Sequence, residues 1–226
     1  MAYSLYDAAV TPCAQQLGAL AGIIDKAAAH CAANKIEESV LLQDRLYPDM
    51  FCLARQIRQS ADFAINTGGR LAGVTPPALP AVDDTSFAAA KSRVETALGF
   101  VKSLTREQVD GAEGKVIAWT AGSNNRKIKG NDYLQQFALP NFFFFVTTAY
   151  DILRHRGVPL GKRDFLGPVN WLYGASRHGQ ARREDRAGHR VGAQYRSSDR
   201  AEAGPRRRAC RGQRALQSAG GRGGCA

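Results

Sequence analysis

The composition of the chain changes sharply after Leu166, and this change limits how much of the chain can fold. Residues 1–166 contain 18 Lys and Arg against 16 Asp and Glu, whereas residues 167–226 contain 13 Arg against 4 acids. The later segment lacks Lys, Ile, Phe, Met and Thr, and 34 of its 60 residues are Gly, Ala or Arg. Such a segment buries too little apolar surface to offset the chain entropy lost on folding. We therefore expect one folded domain over residues 1–166 and a disordered basic tail over residues 167–226.

The length and charge of the first part exclude several classes of protein. Residues 1–166 have the size of one ordinary domain, which excludes a multi-domain enzyme, and their near-neutral charge gives no reason to expect a nucleic-acid-binding fold. The sequence shows no signal peptide and no apolar run of the roughly 18–20 residues that span a bilayer. We expect a cytoplasmic protein with no membrane partner. Cys13, Cys31 and Cys52 lie in apolar helical patterns without metal-ligand spacing, which predicts small buried thiols.

The first half of the domain carries two long helical patterns. A capping box at Ser4 and Asp7 begins the first helix, which the apolar spacing extends to about residue 33. Pro12 cannot donate a backbone hydrogen bond, so it predicts a kink or a late start. A short helix is expected over Glu37–Leu46, and Pro48 is expected at the first turn of the second long helix.

The second half carries two more long helices and a hairpin. A third helix is predicted from about Thr85. Lys115–Thr120 and Arg126–Lys129 flank a turn-forming sequence and predict a small β-hairpin. Asn131 and Asp132 are expected to cap a fourth helix of about 25 residues, whose end is marked by basic residues followed by Gly157 and a proline.

The connections between these helices indicate the fold. Residues 74–84 contain three prolines, which predicts a long surface crossover between the two halves. Four amphipathic helices with one long crossover, and with a hairpin before the last helix, predict an all-α four-helix bundle.

Motifs at both ends of the domain are similar to those of a known family. They are Ser4-Leu-Tyr-Asp7, Lys26-Ala-Ala-Ala-His30, Pro48-Asp-Met-Phe51, Leu53-Ala-Arg-Gln56, Asp132-Tyr-Leu134, Phe137-Ala-Leu-Pro-Asn-Phe-Phe-Phe144, Val146-Thr-Thr-Ala-Tyr150, Ile152-Leu-Arg-His155 and Gly161-Lys-Arg-Asp-Phe-Leu166. Over residues 2–166 the chain resembles a bacterial and fungal family of unknown function in the DinB/YfiT-like four-helix-bundle superfamily. The resemblance implies a DinB-like arrangement of the helices, and it does not extend to residues 167–226.

The resemblance also indicates which residues a metal site in this domain would need. Better-known members of the superfamily bind a divalent metal through three histidines and include transferases and hydrolases, but residues 1–166 contain only His30 and His155. We therefore expect no three-histidine metal centre and no cofactor. Nearer relatives carry histidine where this chain has Phe145, four residues beyond Asn141 on the same helical face. A degenerate metal-dependent transferase or hydrolase is accordingly an alternative function.

Polar residues at helical spacing suggest a ligand-binding site between the helices. Asp49 and Gln56 are seven residues apart on one face, and Asn141 follows Pro140, whose missing N–H frees a carbonyl one turn earlier. These residues also have structural explanations. Asp49 is a carboxylate at a helix start, where it stabilises the helix dipole, and Asn141 is an amide that can satisfy the freed backbone. His155 is a cation at a helix end, which the dipole also favours. His155 is roughly 21 Å along the helix from Asn141, too far to share one small site. The candidate ligand-binding residues are Asp49, Gln56, Asn141, Tyr150 and His155.

Two further segments, one in the fourth helix and one near the end of the domain, have a predicted role. Phe142–Phe145 covers every direction around a helix, which predicts at least one ring facing away from the main core. This ring either packs against the first helix and the hairpin or forms the surface of a homodimer, which an exposed Phe would support. Gly161–Asp164 lacks the spacing of a phosphate-binding loop and is interpreted as a C-terminal clasp.

These observations favour a small-molecule-binding or structural domain over an enzyme. Nucleic-acid binding through the arginines of residues 167–226 is the alternative if that tail is a genuine product. Gly, Ala and Arg all have GC-rich codons, however, and their joint excess is typical of a gene read out of frame. We favour a frameshift or readthrough just after Leu166.

Overall fold

A computed structural model describes residues 4–80 and 86–171 of the chain. The predictions made for the basic tail fall, from residue 172 onward, outside the described residues.

Four long helices carry most of the described chain. They are α1 (Leu5–Asn34), α3 (Leu53–Ala72), α4 (Phe87–Ser103) and α7 (Leu139–His155). Shorter elements connect them, namely α2 (Glu38–Leu42), α5 (Arg106–Val109), strands β1 (Val116–Ala121) and β2 (Asn124–Lys129), α6 (Gly130–Asp132), a π-helical segment (Tyr133–Ala138) and α8 (Lys162–Leu166). None of the helices within residues 4–80 and 86–171 is both long and apolar enough to cross a membrane.

The long helices pack as the predicted four-helix bundle. α1 packs against α4 and α7, and α3 packs against the same two helices, so α1 and α3 occupy opposite corners. Each helix buries its apolar stripe at the centre, where Leu17, Ile57, Val94 and Val146 are fully buried. Burial of such side chains contributes roughly 1.5–3 kcal/mol each, which makes this common core the main source of stability.

The predicted start of α1 is confirmed at Ser4. Its hydroxyl accepts a hydrogen bond from the Asp7 backbone N–H at 3.4 Å, and the Asp7 carboxylate accepts one from the Ser4 N–H at 3.3 Å. The helix then runs through Pro12 without a break, so the alternative of a late start is wrong. Val10 and Cys13, on either side of the proline, are both buried and hold this turn against the core.

The second long helix begins later than predicted, at Leu53 rather than at Pro48. Pro48 instead lies in a turn closed by a hydrogen bond of 3.0 Å from the Met50 N–H to the Tyr47 carbonyl. The Leu53 N–H donates to the Asp44 carbonyl at 2.8 Å, which holds both ends of this loop together. A long-range bond of this kind is invisible to local helix signals.

The predicted hairpin is confirmed, with a tighter turn than the sequence suggested. β1 and β2 are antiparallel, Val116 pairs with Lys129, and Ala121 pairs with Asn124. Only two residues are left for the turn, and the first, Gly122, has a φ of +60° that glycine adopts without strain. The hairpin leads directly into α6.

The fourth helix differs from the prediction at its start. Asn131 and Asp132 do not cap it, because the N-cap is Lys129 and makes no side-chain bond. The side chains of Asn131 and Asp132 instead accept hydrogen bonds from the side-chain amides of Gln135 and Gln136, which lie one turn further along the helix. The following turn is π-helical and ends just before Pro140, which has no N–H for the tighter α-helical pattern. The predicted end at His155 is confirmed, with Gly157 beyond it at a φ of +86°.

The C-terminal clasp is confirmed as a contact between α8 and α1. Asp164 forms an ion pair with Lys26 at 2.6 Å, and the Gln15 side-chain amide donates to the Leu166 carbonyl at 2.8 Å. These bonds fasten the end of the bundle to its first helix.

The cysteine prediction is confirmed in part. Cys13 and Cys31 are free and buried, and burial raises the pKa of the Cys13 thiol to about 12. Cys52, the N-cap of α3, is also buried.

Candidate functional site

A cleft of about 310 Å³ opens between α3, β1 and the π-helical segment. It is at the lower end of the size range of small-molecule sites. Its wall is made of Gln59, Asp62, Phe63, Asn66, Arg70, Trp119, Thr120 and Phe137. Three different elements therefore contribute to one concave surface.

Aromatic rings form one side of the cleft. Trp119 of β1 lies 5.1 Å from Phe137, and Phe137 lies 5.8 Å from Phe63 of α3, measured between ring centroids. Tyr133 is fully buried behind them, with its ring 5.4 Å from that of Trp119 in an edge-to-face arrangement. Tyr133 and Phe137 both belong to the π-helical segment, so the widened turn contributes two of the four packed rings. Such segments are frequently found at functional sites.

One face of α3 supplies the polar side. Gln59, Asp62, Asn66 and Arg70 recur three or four residues apart, which places them along a single stripe. The Asn66 side-chain amide donates to the Asp62 carbonyl at 2.8 Å. No described residue donates to the side-chain oxygen of Asn66, so this acceptor is available to a ligand.

The carboxylate of Asp62 is neutralised by an arginine from α4. The Arg93 guanidinium forms an ion pair with it and also donates to the Pro80 carbonyl. Asp62 therefore adds little negative potential to the cleft.

Arg70 is the cleft cation without such a counter-charge. No carboxylate within the described ranges lies within 4.0 Å of its guanidinium, which instead lies 5.0 Å above the Trp119 ring and donates to the Tyr133 hydroxyl at 3.1 Å. Burial raises the pKa of Tyr133, and this effect outweighs the opposing influence of Arg70. Tyr133 thus stays a neutral phenol and does not cancel the charge of Arg70.

The structure does not bring Asp49 and Gln56 together. Asp49 is exposed in the turn before α3, because that helix begins at Leu53, so the predicted shared helical face does not exist. Gln56 is 1% exposed, and its amide donates to the Phe51 carbonyl at 3.1 Å. Its side-chain oxygen is buried and has no hydrogen-bond partner in the part of the chain that the structure describes.

The other three predicted residues lie along α7. Asn141 is half-buried and donates to the Phe137 carbonyl at 2.7 Å, so its amide satisfies a backbone group of the π-helical segment. Tyr150 packs edge-to-face on Phe165 at 5.7 Å, and His155 is exposed in the last turn. None of the five predicted residues lines the cleft, and their role in binding stays a prediction.

Comparison with known proteins identifies the family. The profile of a domain of unknown function, DUF1993, matches residues 5–166. The chain belongs to the DUF1993 family. A DinB family member protein from Shewanella denitrificans has a similar structure, with a TM-score of 0.66 and 33% sequence identity, over 75% of this chain and 96% of that chain. The DinB-like fold implied by the sequence motifs is confirmed. A comparison with curated protein sequences finds no match.

The side chains of this DUF1993 protein do not fit the three-histidine metal site implied by its superfamily. Phe145, the position for which the resemblance implies a histidine in nearer relatives, is 8% exposed and packs with its ring centroid 5.3 Å from that of Phe63 and 6.3 Å from that of Phe51. Hydrocarbon rings supply no metal ligand. Among residues 4–80 and 86–171, no three His, Cys, Asp or Glu side chains are placed to hold a metal ion.

The cleft residues of this DUF1993 protein were not among the sequence candidates. The stripe from Gln59 to Arg70 has the spacing of one helical face, which is a signal the sequence contains. The partners of that stripe, Trp119 and Phe137, lie about 50 residues or more further along the chain. Only the packing of the hairpin against α3 reveals that they share a cleft.

Proposed function

We propose that this DUF1993 protein is a small-molecule-binding domain whose site is the cleft between α3, β1 and the π-helical segment. The observation that carries the proposal is the pairing of an aromatic wall with an uncompensated cation, Arg70, in one concave surface.

A screen with small fragments tests this proposal. Anionic, cationic and neutral fragments are added to the isotope-labelled full chain, and backbone amide shifts are followed by NMR. Binding fragments are expected to shift the amides of Asn66, Trp119 and Phe137 first, since these residues line the cleft.

Two tryptophan substitutions in the hairpin distinguish cleft binding from surface binding. Thr120→Trp adds a large side chain at an exposed position of the cleft wall, whereas Ser123→Trp adds the same side chain in the turn. Fragment binding should be lost in Thr120→Trp and retained in Ser123→Trp. A set in which no fragment binds, or in which both variants bind alike, points to a structural domain instead.

Nucleic-acid binding through residues 167–226 is the second candidate, supported by their 13 Arg against 4 acids. Binding of this kind weakens steeply as salt is raised, because it depends on counterion release. Filter binding of the full chain and of a chain ending at Leu166 tests it. Equal binding by both chains contradicts a role for the tail.

Three further hypotheses from the sequence concern the oligomeric state, the cellular location and metal binding. We propose a homodimer on the basis of Phe144, whose side chain is 53% exposed on α7. A cytoplasmic location stays a proposal, as does the absence of three-histidine metal chemistry. Metal analysis of protein purified without chelators should find well under one transition-metal ion per chain; close to one ion, lost on changing His30 or His155, contradicts the last proposal.

A further inference from the structure

We propose that the cleft binds a small aromatic carboxylate, with its carboxylate on Arg70 and its ring against Trp119 and Phe137. This inference rests on the proposed binding function and adds the chemical class of the ligand.

The sign of the charge in the cleft favours an anion. Two ionisable groups line it, and Arg93 neutralises one of them, Asp62. Arg70 has no carboxylate partner among the described residues. Arg126 of β2 adds to the positive potential from the hairpin side, since its guanidinium lies 5.9 Å from the Phe137 ring and has no ion pair within those residues either.

The environment of Arg70 suits a planar carboxylate better than a point charge. A guanidinium has five N–H donors in a flat fork, and the structure uses one of them, toward the Tyr133 hydroxyl. The remaining donors match the two oxygens of a carboxylate in a bidentate pair. Because the Trp119 ring and Tyr133 both contact the guanidinium, its plane is held in place before the ligand arrives.

The rings around Arg70 favour an aromatic body on the ligand. Trp119, Phe137 and Phe63 present a continuous wall, and aromatic rings pack on such walls more favourably than their buried area alone accounts for. The side-chain oxygen of Asn66, which accepts no hydrogen bond from a described residue, and the amide of Gln59 also line the cleft and suit a polar ring substituent. The volume of about 310 Å³ restricts the ligand to a small one.

Matched fluorinated probes test this inference by ¹⁹F NMR. 4-Fluorobenzoate and 4-fluorobenzamide have the same ring and differ in charge, so they are titrated separately against the full-length protein. We expect the benzoate to bind about tenfold or more tightly than the benzamide. Arg70→Gln should remove this preference. Arg58→Gln, a change of the same kind on α3 outside the cleft, should keep it.

The outcomes separate this inference from the binding function. Equal affinity for the two probes, or a preference that survives Arg70→Gln, overturns the carboxylate assignment while the cleft remains a binding site. Failure of both probes when another fragment of the screen binds has the same meaning. Failure of both probes and of every fragment overturns the binding function as well.

A second variant covers the case in which Arg70→Gln does not fold. Arg70→Lys keeps the positive charge but loses the planar fork. It should weaken 4-fluorobenzoate severalfold and leave 4-fluorobenzamide unchanged. If neither affinity changes, the assignment of the carboxylate to Arg70 is overturned.

Discussion

The guanidinium of Arg93 on α4 forms an ion pair with the carboxylate of Asp62 on α3, at the edge of the aromatic cleft. The two side chains are 11% and 29% exposed, so the pair is largely shielded from water. This contact joins two long helices and at the same time removes the one negative charge of the cleft wall. The potential around Arg70 is positive as a result.

Loss of the Asp62 carboxylate should destabilise the bundle. Asp62→Asn leaves the shielded Arg93 charge without a carboxylate, and we expect the free energy of unfolding to fall by about 1.5–3 kcal/mol. Urea denaturation followed by circular dichroism measures this change. Asp25→Asn, which breaks the more exposed pair with Lys91, should cost less than about 1 kcal/mol. Equal costs for the two variants contradict a shielded pair.

Stability should decline in acid through the ion pair of Asp7 and Arg106. Hydrogen bonds from Arg106 lower the pKa of Asp7 from 3.8 to about 2 in the folded protein. Because the unfolded chain takes up this proton at higher pH than the folded one does, the contribution is fully present above about pH 4 and is lost as the pH falls toward 2. Thermal unfolding midpoints between pH 7 and pH 2 measure the decline. Asp7→Asn should be less stable near neutral pH and should show a shallower decline; an unchanged slope argues against this carboxylate.

Adjacent phenylalanines should differ strongly in their effect on stability. Phe145 is 8% exposed and packs between Phe51 and Phe63, so Phe145→Ala should cost about 3 kcal/mol. Phe144 is 53% exposed, and Phe144→Ala should cost under about 1 kcal/mol in the monomer. Chemical denaturation at low protein concentration compares them. Similar costs contradict the packing described here.

The exposed ring of Phe144 should decide the oligomeric state. If it lies in a homodimer interface, Phe144→Glu places a charge in that interface and should give a monomer by light scattering coupled to size exclusion. Ser92→Glu, an exposed change on α4 at the opposite corner of the bundle, serves as the control and should leave the dimer intact. A wild-type monomer contradicts the dimer proposal directly.

Local signals predicted those parts of the fold that local chemistry controls. The capping box at Ser4 and the stop at Gly157 depend on residues within one turn, and both are confirmed. The start of α3 was mispredicted because a bond from Leu53 to Asp44 closes the preceding loop, and helix propensity contains no information about that bond. The Asn141 amide bonds to the Phe137 carbonyl rather than to the Gln136 carbonyl that Pro140 leaves without its helical donor, so the sequence placed this amide near the right turn but not on the right acceptor.

The sequence alone determined the helical bundle, its hairpin and its family, because periodicity, caps and motifs are properties of neighbouring residues. Only the tertiary structure decided where ligand chemistry is concentrated. Asp62 and Arg93 are 31 residues apart and Arg70 and Tyr133 are 63 apart, so neither the neutralised carboxylate nor the unpaired cation is visible in the linear order. The chemical character of the cleft depends on charges and rings that are distant in the sequence and that the packing of the bundle brings together.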